Sequence, residues 1–214
     1  MKLLCIDTTK QQAILALSND GCNTYVTIPD TKKHSEALLM ELENFLCNNK
    51  LTIKDITHLG CVTGPGSFTG IRIGMATIKA FSFALNLPIV SDSYFNIVSS
   101  TIKNGYAVLK NTSTAVYMSK VYCSKAKEIQ VVDNSAVLDV VKDKKLYVSE
   151  YEQIEELKAY NQLETITNYP EIMLNHFVCK VENGEFSDAE FAPVYAQLSQ
   201  AERIWRDSYG YKET

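Results

Sequence analysis

The sequence predicts an α/β fold in which a mixed β-sheet carries helices on its faces, and three observations predict it. Three short β-prone runs open the chain at residues 3–6, 13–17 and 24–28. A helical pattern at 34–48, a continuous apolar run at 56–63 and a second helical pattern at 71–87 then follow in order. Strands joined by tight turns pair antiparallel, whereas strand–helix–strand crossovers lay strands parallel. A chain with both kinds of link builds a mixed sheet with helices packed on it.

Each element has a local reason. Residues 3–6 are apolar and stop at Asp7-Thr8-Thr9. Asp20-Gly21, after Asn19, is a hairpin signal between the second and third runs, and Pro29-Asp30 closes the third. Within 34–48, Leu38, Leu39, Leu42, Phe45 and Leu46 recur at helical spacing, with Ser35 or Thr31 as the N-cap. The run 56–63 is bounded by Gly64 and reads as a buried strand. Residues 64–70 form a loop, and Pro88 ends the helix after it. Farther on, strands are expected at 106–110, 114–119, 128–132 and 146–149, and helices at 151–159 and 171–181. The chain divides into an N-terminal subdomain, 1–103, and a smaller one, 104–214. It has no internal sequence repeat, and a structural duplication does not require one.

Composition narrows the function. Of 214 residues, 46% are hydrophobic and 21% charged, which suits a globular protein with a real core. The net charge of -4 argues against a broad basic surface for nucleic acid. The densest basic clusters, Lys32-Lys33 and Lys142-Lys144-Lys145, are short. None of the six cysteines stands at C-x-x-C spacing, and Cys5 and Cys61 sit in apolar runs, so reduced thiols are expected. The apolar start ends at Asp7, and no run approaches the roughly 20 apolar residues of a membrane helix. A cytoplasmic protein is the expectation.

The loop GPGSFTG places Gly64, Gly66 and Gly70 around Pro65, with Ser67 and Thr69 able to cap the next helix. A helix start of this kind can bind an anion. The spacing is G-x-G-x-x-x-G, however, and no Lys-Ser or Lys-Thr follows. Two readings stay open, a phosphate loop or a stiff strand-to-helix turn. The helix itself is apolar on two sides. Ile71, Met75, Ile78 and Leu85 line one, and Ile73, Ala76, Ala80, Phe83 and Ala84 another. One side can cover the sheet; the other calls for a further partner or for internal burial.

Candidate chemistry is sparse. Asp7 ends a strand and is followed by two hydroxyls. His34-Ser35-Glu36 cannot act as a compact triad, because adjacent helical residues diverge. A helical metal pair would need a ligand at Ala37 or Leu38. His58 and His176 lie in apolar contexts, and no G-x-S-x-G elbow occurs.

Three strings carry a resemblance, IDTT at 6–9, KKHSEALL at 32–39 and VTGPGSFTGIRIG at 62–74, and PVYAQLSQAE at 193–202 is similar to a closing element that goes with them. In order and separation they resemble the TsaB family, also called YeaZ. Met40 and Gln197 stand where that family commonly has proline and often has arginine. The resemblance implies an ASKHA fold, related to actin, hexokinase and Hsp70, with two subdomains of mixed sheet flanking a cleft. Asp7, Thr8, Thr9, Gly64, Gly66 and Ser67 would lie in its phosphate vicinity.

It also implies a non-catalytic subunit that supports a TsaD-like enzyme, together with a TsaE-like ATPase. That enzyme places threonylcarbamoyl on the adenosine beside the anticodon of tRNAs reading ANN codons. The catalytic relative carries a histidine pair on the helix matching 34–48, where this chain has His34 alone. The implied partner interface comprises His34, Glu36, Leu38, Leu42, Phe68, Ile71, Arg72, Met75, Ala76, Lys79, Ala80 and Phe83. When alone the chain would pair with a second copy. It would bind no cofactor or metal by itself, ATP or ADP being a matter for the complex. It would meet tRNA only through the complex and no membrane at all. The competing reading is a stand-alone ATP-dependent phosphotransferase or a metallopeptidase.

Overall fold

The computed structural model describes residues 1–29, 35–150, 154–188 and 190–196, with the side chains of Ser35 and Glu36 outside that description. The first sheet holds β1 (Lys2–Asp7), β2 (Ala13–Asn19), β3 (Cys22–Ile28), β4 (His58–Val62) and β5 (Ile89–Asp92) in the order β3-β2-β1-β4-β5. The hairpin-linked strands β1, β2 and β3 pair antiparallel, and β1–β4 and β4–β5 pair parallel. The crossovers supply α1 (Ser35–Asn48) and α2 (Phe68–Leu85), and α3 (Tyr94–Ser99) follows β5.

The second sheet repeats the plan. It is built from β6 (Asn104–Lys110), β7 (Ala115–Tyr122), β8 (Lys125–Asp133), β9 (Leu146–Ser149) and β10 (Leu163–Ile166), ordered β10-β9-β6-β7-β8. Again three strands form an antiparallel meander, and the next two join in parallel. Helix α4 (Val137–Val141) stands between β8 and β9, and α5 (Tyr169–Glu182) follows β10. The molecule is thus a structural duplication without a sequence repeat.

Several differences from the sequence reading have simple causes. β5, α3, α4 and β10 are four to six residues long, too short to show a period of their own. The helix expected at 151–159 falls partly outside the described residues, and within them Glu155–Leu157 is a single 3-10 turn. Helix α2 starts three residues earlier than 71, because Ser67 caps it by accepting the Gly70 N–H, and it ends at Leu85 with Asn86 left-handed. The second unit is not the smaller in strands, since each sheet has five. Nor does a cut at 103/104 separate the layers. α5 packs on β1, β2, β3 and β5 of the first sheet, while α3 packs on β6 and β8 of the second.

Strand alternation assigns the core. On β1, Leu3 and Cys5 face an inner core shared with α3 and α5, whereas Leu4 and Ile6 face an outer core beneath α1 and α2. All four are fully buried, each of the leucines and the isoleucine contributing roughly 2 kcal/mol. A third core underlies the outer face of the second sheet, around Val108, Met118, Val137 and Leu146. By length and composition alone, α2 is apolar enough to cross a membrane. Here it is a layer of the fold, with Gly70, Ile71, Gly74, Met75 and Ile78 buried.

Candidate functional site

The parallel strands β1, β4 and β5 all end at one edge of the first sheet, the place where open α/β sheets take ligands. Asp7 ends β1 there and is fully buried. Its Oδ1 accepts the Thr9 N–H at 2.8 Å and the Thr9 hydroxyl at 2.6 Å. Its Oδ2 accepts the Tyr169 hydroxyl at 2.9 Å and lies 4.0 Å from Lys10 Nζ. Burial first, then the Asp7 charge and the neighbouring Tyr94, push the Tyr169 phenol well above its ordinary range, so it stays a donor.

The glycine loop closes onto this turn. A Cβ on Gly66, whose φ is +155°, would lie 2.1 Å from the Thr9 carbonyl oxygen; one on Gly70 would lie 2.0 Å from that of Thr8. Both positions therefore exclude a side chain. The Ser67 N–H donates to Thr9 O at 2.8 Å, and the Thr8 hydroxyl donates to Gly70 O at 2.6 Å. Gly64 O accepts the Tyr94 N–H at 2.8 Å. The six residues expected near a phosphate are thus brought together, and their polar atoms bind one another and the helices α3 and α5. Residues 187–188 and 190–196 form a strap over the same loop. Val194 N–H donates to Thr63 O at 2.8 Å, and Tyr195 stacks on Phe68 with ring centroids 4.5 Å apart.

Beside it, a groove of about 390 Å³ runs between the end of β5 and the edge strand β8, lined by Thr63, Ser91, Asp92, Asn96, Lys127 and Glu128. Asp92 Oδ2 lies 2.9 Å from His176 Nε2 and 3.5 Å from Lys180 Nζ. Burial acts to raise the Asp92 carboxyl. Hydrogen bonds from His176, Asn96 and the Ser93 N–H, with the Lys180 charge, outweigh it and hold the group below the ordinary range. Among the described residues, no three His, Cys, Asp or Glu side chains gather as a metal site.

The expected interface residues separate into four sets. His34 and the side chain of Glu36 lie outside the described residues. Leu38, Leu42, Ile71 and Met75 point into the outer core and lie beneath the surface. Helical spacing by itself does not tell which of two apolar sides of a helix meets the sheet. Phe68, Arg72 and Lys79 hold the strap. Arg72 Nε donates to the Tyr195 hydroxyl at 3.0 Å, and Lys79 Nζ donates to Phe191 O at 3.1 Å. Ala76, Ala80 and Phe83 remain exposed, Phe83 at 93%. On α1, in the same outer layer, Leu39 and Met40 are exposed too. Leu39 belongs to the apolar helical set read in the sequence; Met40 lies outside it. Lys10, Tyr94, Tyr169 and the Asp92–His176 pair carry no motif, and only the fold assembles them.

A family model described as TsaD: tRNA N6-adenosine threonylcarbamoyltransferase matches residues 28–178. The tRNA threonylcarbamoyladenosine biosynthesis protein TsaB of Haemophilus influenzae is 26% identical over 133 residues, 59% of this chain and 56% of that protein. The protein of the same name from Escherichia coli K12 is 32% identical over 94 residues, 44% of this chain and 40% of its own. The matched region thus spans about half the length of these relatives. The structure of YeaZ from Pseudomonas aeruginosa superposes with a TM-score of 0.67 at 18% identity, covering 91% of this chain and 100% of that one. The fold is of the ASKHA type, as the resemblance implies. The chain belongs to the TsaB (YeaZ) family, within the wider group that the TsaD model describes.

Proposed function

We propose that this chain is a non-catalytic subunit in the threonylcarbamoylation of the adenosine beside the anticodon in tRNAs reading ANN codons. It acts by binding a TsaD-like catalytic subunit, with a TsaE-like ATPase joining the assembly, and it pairs with a second copy when that subunit is absent. Nucleotide belongs to the complex, and tRNA is met only there, in keeping with the net charge of -4. The names of the relatives support the pathway. The observation that supports the mode of action is the uncovered outer face of α2, where Phe83 is 93% exposed beside Ala76 and Ala80, with Leu39 and Met40 on α1. Exposed apolar surface of this kind marks association sites, and small residues let a partner helix approach closely.

The test is co-elution of the purified chain with a TsaD-like protein from the same organism. Ala80→Glu, or Ala76→Arg, places a charge on the face without touching the core. Either should abolish co-elution, and with it threonylcarbamoyl transfer in a reconstituted assay, at an unchanged melting temperature. Undiminished complex formation by both variants would overturn this interface.

A further inference from the structure

A lysine ammonium is normally kept in water, yet the side chain of Lys10 is 3% exposed. Its Nζ lies 3.0 Å from the centroid of the Tyr169 ring and 4.3 Å from that of Tyr94, and 4.0 Å from Asp7 Oδ2. The two rings are 5.3 Å apart and tilted 42° to each other. A carboxylate combined with aromatic faces is the arrangement that selects an alkylammonium, through ion pairing and the negative ring faces together. The walls are held rigidly. Tyr169 is fixed by the hydrogen bond from its hydroxyl to Asp7, Asp7 by the two bonds from Thr9, and Tyr94 by its N–H on Gly64 O. They come from β1, α3 and α5, so the site exists only in the folded chain.

We propose that Asp7, Tyr94 and Tyr169 form a primary-ammonium site with Lys10 as its resident ligand, and that this lysine holds the carboxylate at the end of β1 against any other cation. The site is independent of the partner interface on α2. Its chemistry is that of a ligand pocket, filled from within.

The test uses the full chain. Lys10→Ala removes the ammonium and leaves a buried carboxylate facing two rings. This variant should melt several degrees below the wild type, and n-propylammonium chloride should raise its melting temperature more than sodium chloride at equal concentration. In Asp7→Asn/Lys10→Ala, the extra rise should vanish. A single variant that melts like the wild type, an equal response to both salts, or an undiminished response in the double variant overturns the proposal. Two measurements on the wild type hold even where Lys10→Ala does not fold. Ring currents should place the Lys10 ε-methylene protons upfield of those of every other lysine, and manganese(II) should leave the Thr9 amide signal unbroadened. Lysine signals in their ordinary range, or broadening at Thr9, count against it.

Discussion

Two carboxylates stand at the ends of parallel strands, and their neighbours give them different tasks. Asp7 is enclosed by Thr9, Tyr169 and Lys10, and serves to join three elements. Asp92 borders the groove and ties β5 to α5 through His176 and Lys180. Because the folded carboxyl of Asp92 titrates below the ordinary value of about 3.9, its contribution to stability is complete above that value. It is lost as pH falls through the lower, folded value. Asp92→Asn should therefore cost about 1 kcal/mol at neutral pH and flatten the acid side of the stability curve, read by urea unfolding between pH 3 and 7. An unchanged acid limb would mean that another group governs it. At this scale the sequence was half legible. Asp7 announces itself at a strand end, and the glycine string announces a turn. Lys10 looks like part of a polar turn, because what buries it is the ring of Tyr169, whose hydroxyl reaches Asp7 from 162 residues away.

Among the elements, the strap at 187–188 and 190–196 and the helix α2 define each other. Phe191, Val194 and Tyr195 engage Lys79, Thr63, and Phe68 with Arg72, so one edge of α2 is already occupied from within. Ala76, Ala80 and Phe83 stay exposed, and theirs is the face proposed above for a partner. Tyr195→Ala removes a stack and a hydrogen bond, at a cost of about 1–2 kcal/mol. Amide exchange at Val194 should speed up markedly, while the amides of α2 on its buried side keep their protection. If exchange is the same in both forms, the ring does not anchor the strap. Periodicity found α1 and α2 because each is 14 residues or more, whereas β5 and α4, at four and five, were decided by the sheets around them. The strap has no period at all; its residues Pro193–Ala196 are readable only as part of a resemblance.

Taken as a whole, the molecule has two sheets of identical topology that have exchanged their last helices. α3 closes the first unit in sequence yet packs on the second sheet, and α5 closes the second yet packs on the first. The duplication escaped sequence reading because topology is fixed by which strands pair, and many different apolar strings satisfy the same pairing. Without α5, the face formed by Leu3, Cys5, Ile14 and Ala16 would stand in water. A fragment of residues 1–103 should then lack near-UV circular dichroism, and the intact chain should unfold in one transition by every probe. A native-like spectrum from that fragment would refute the dependence. The exchange has a practical corollary. Each half carries the piece that completes the other, as in a domain-swapped dimer whose two arms happen to share one backbone. Severed between the units and expressed as separate chains, 1–103 and 104–214 should therefore complement one another. Each would be the template on which the other acquires its shape.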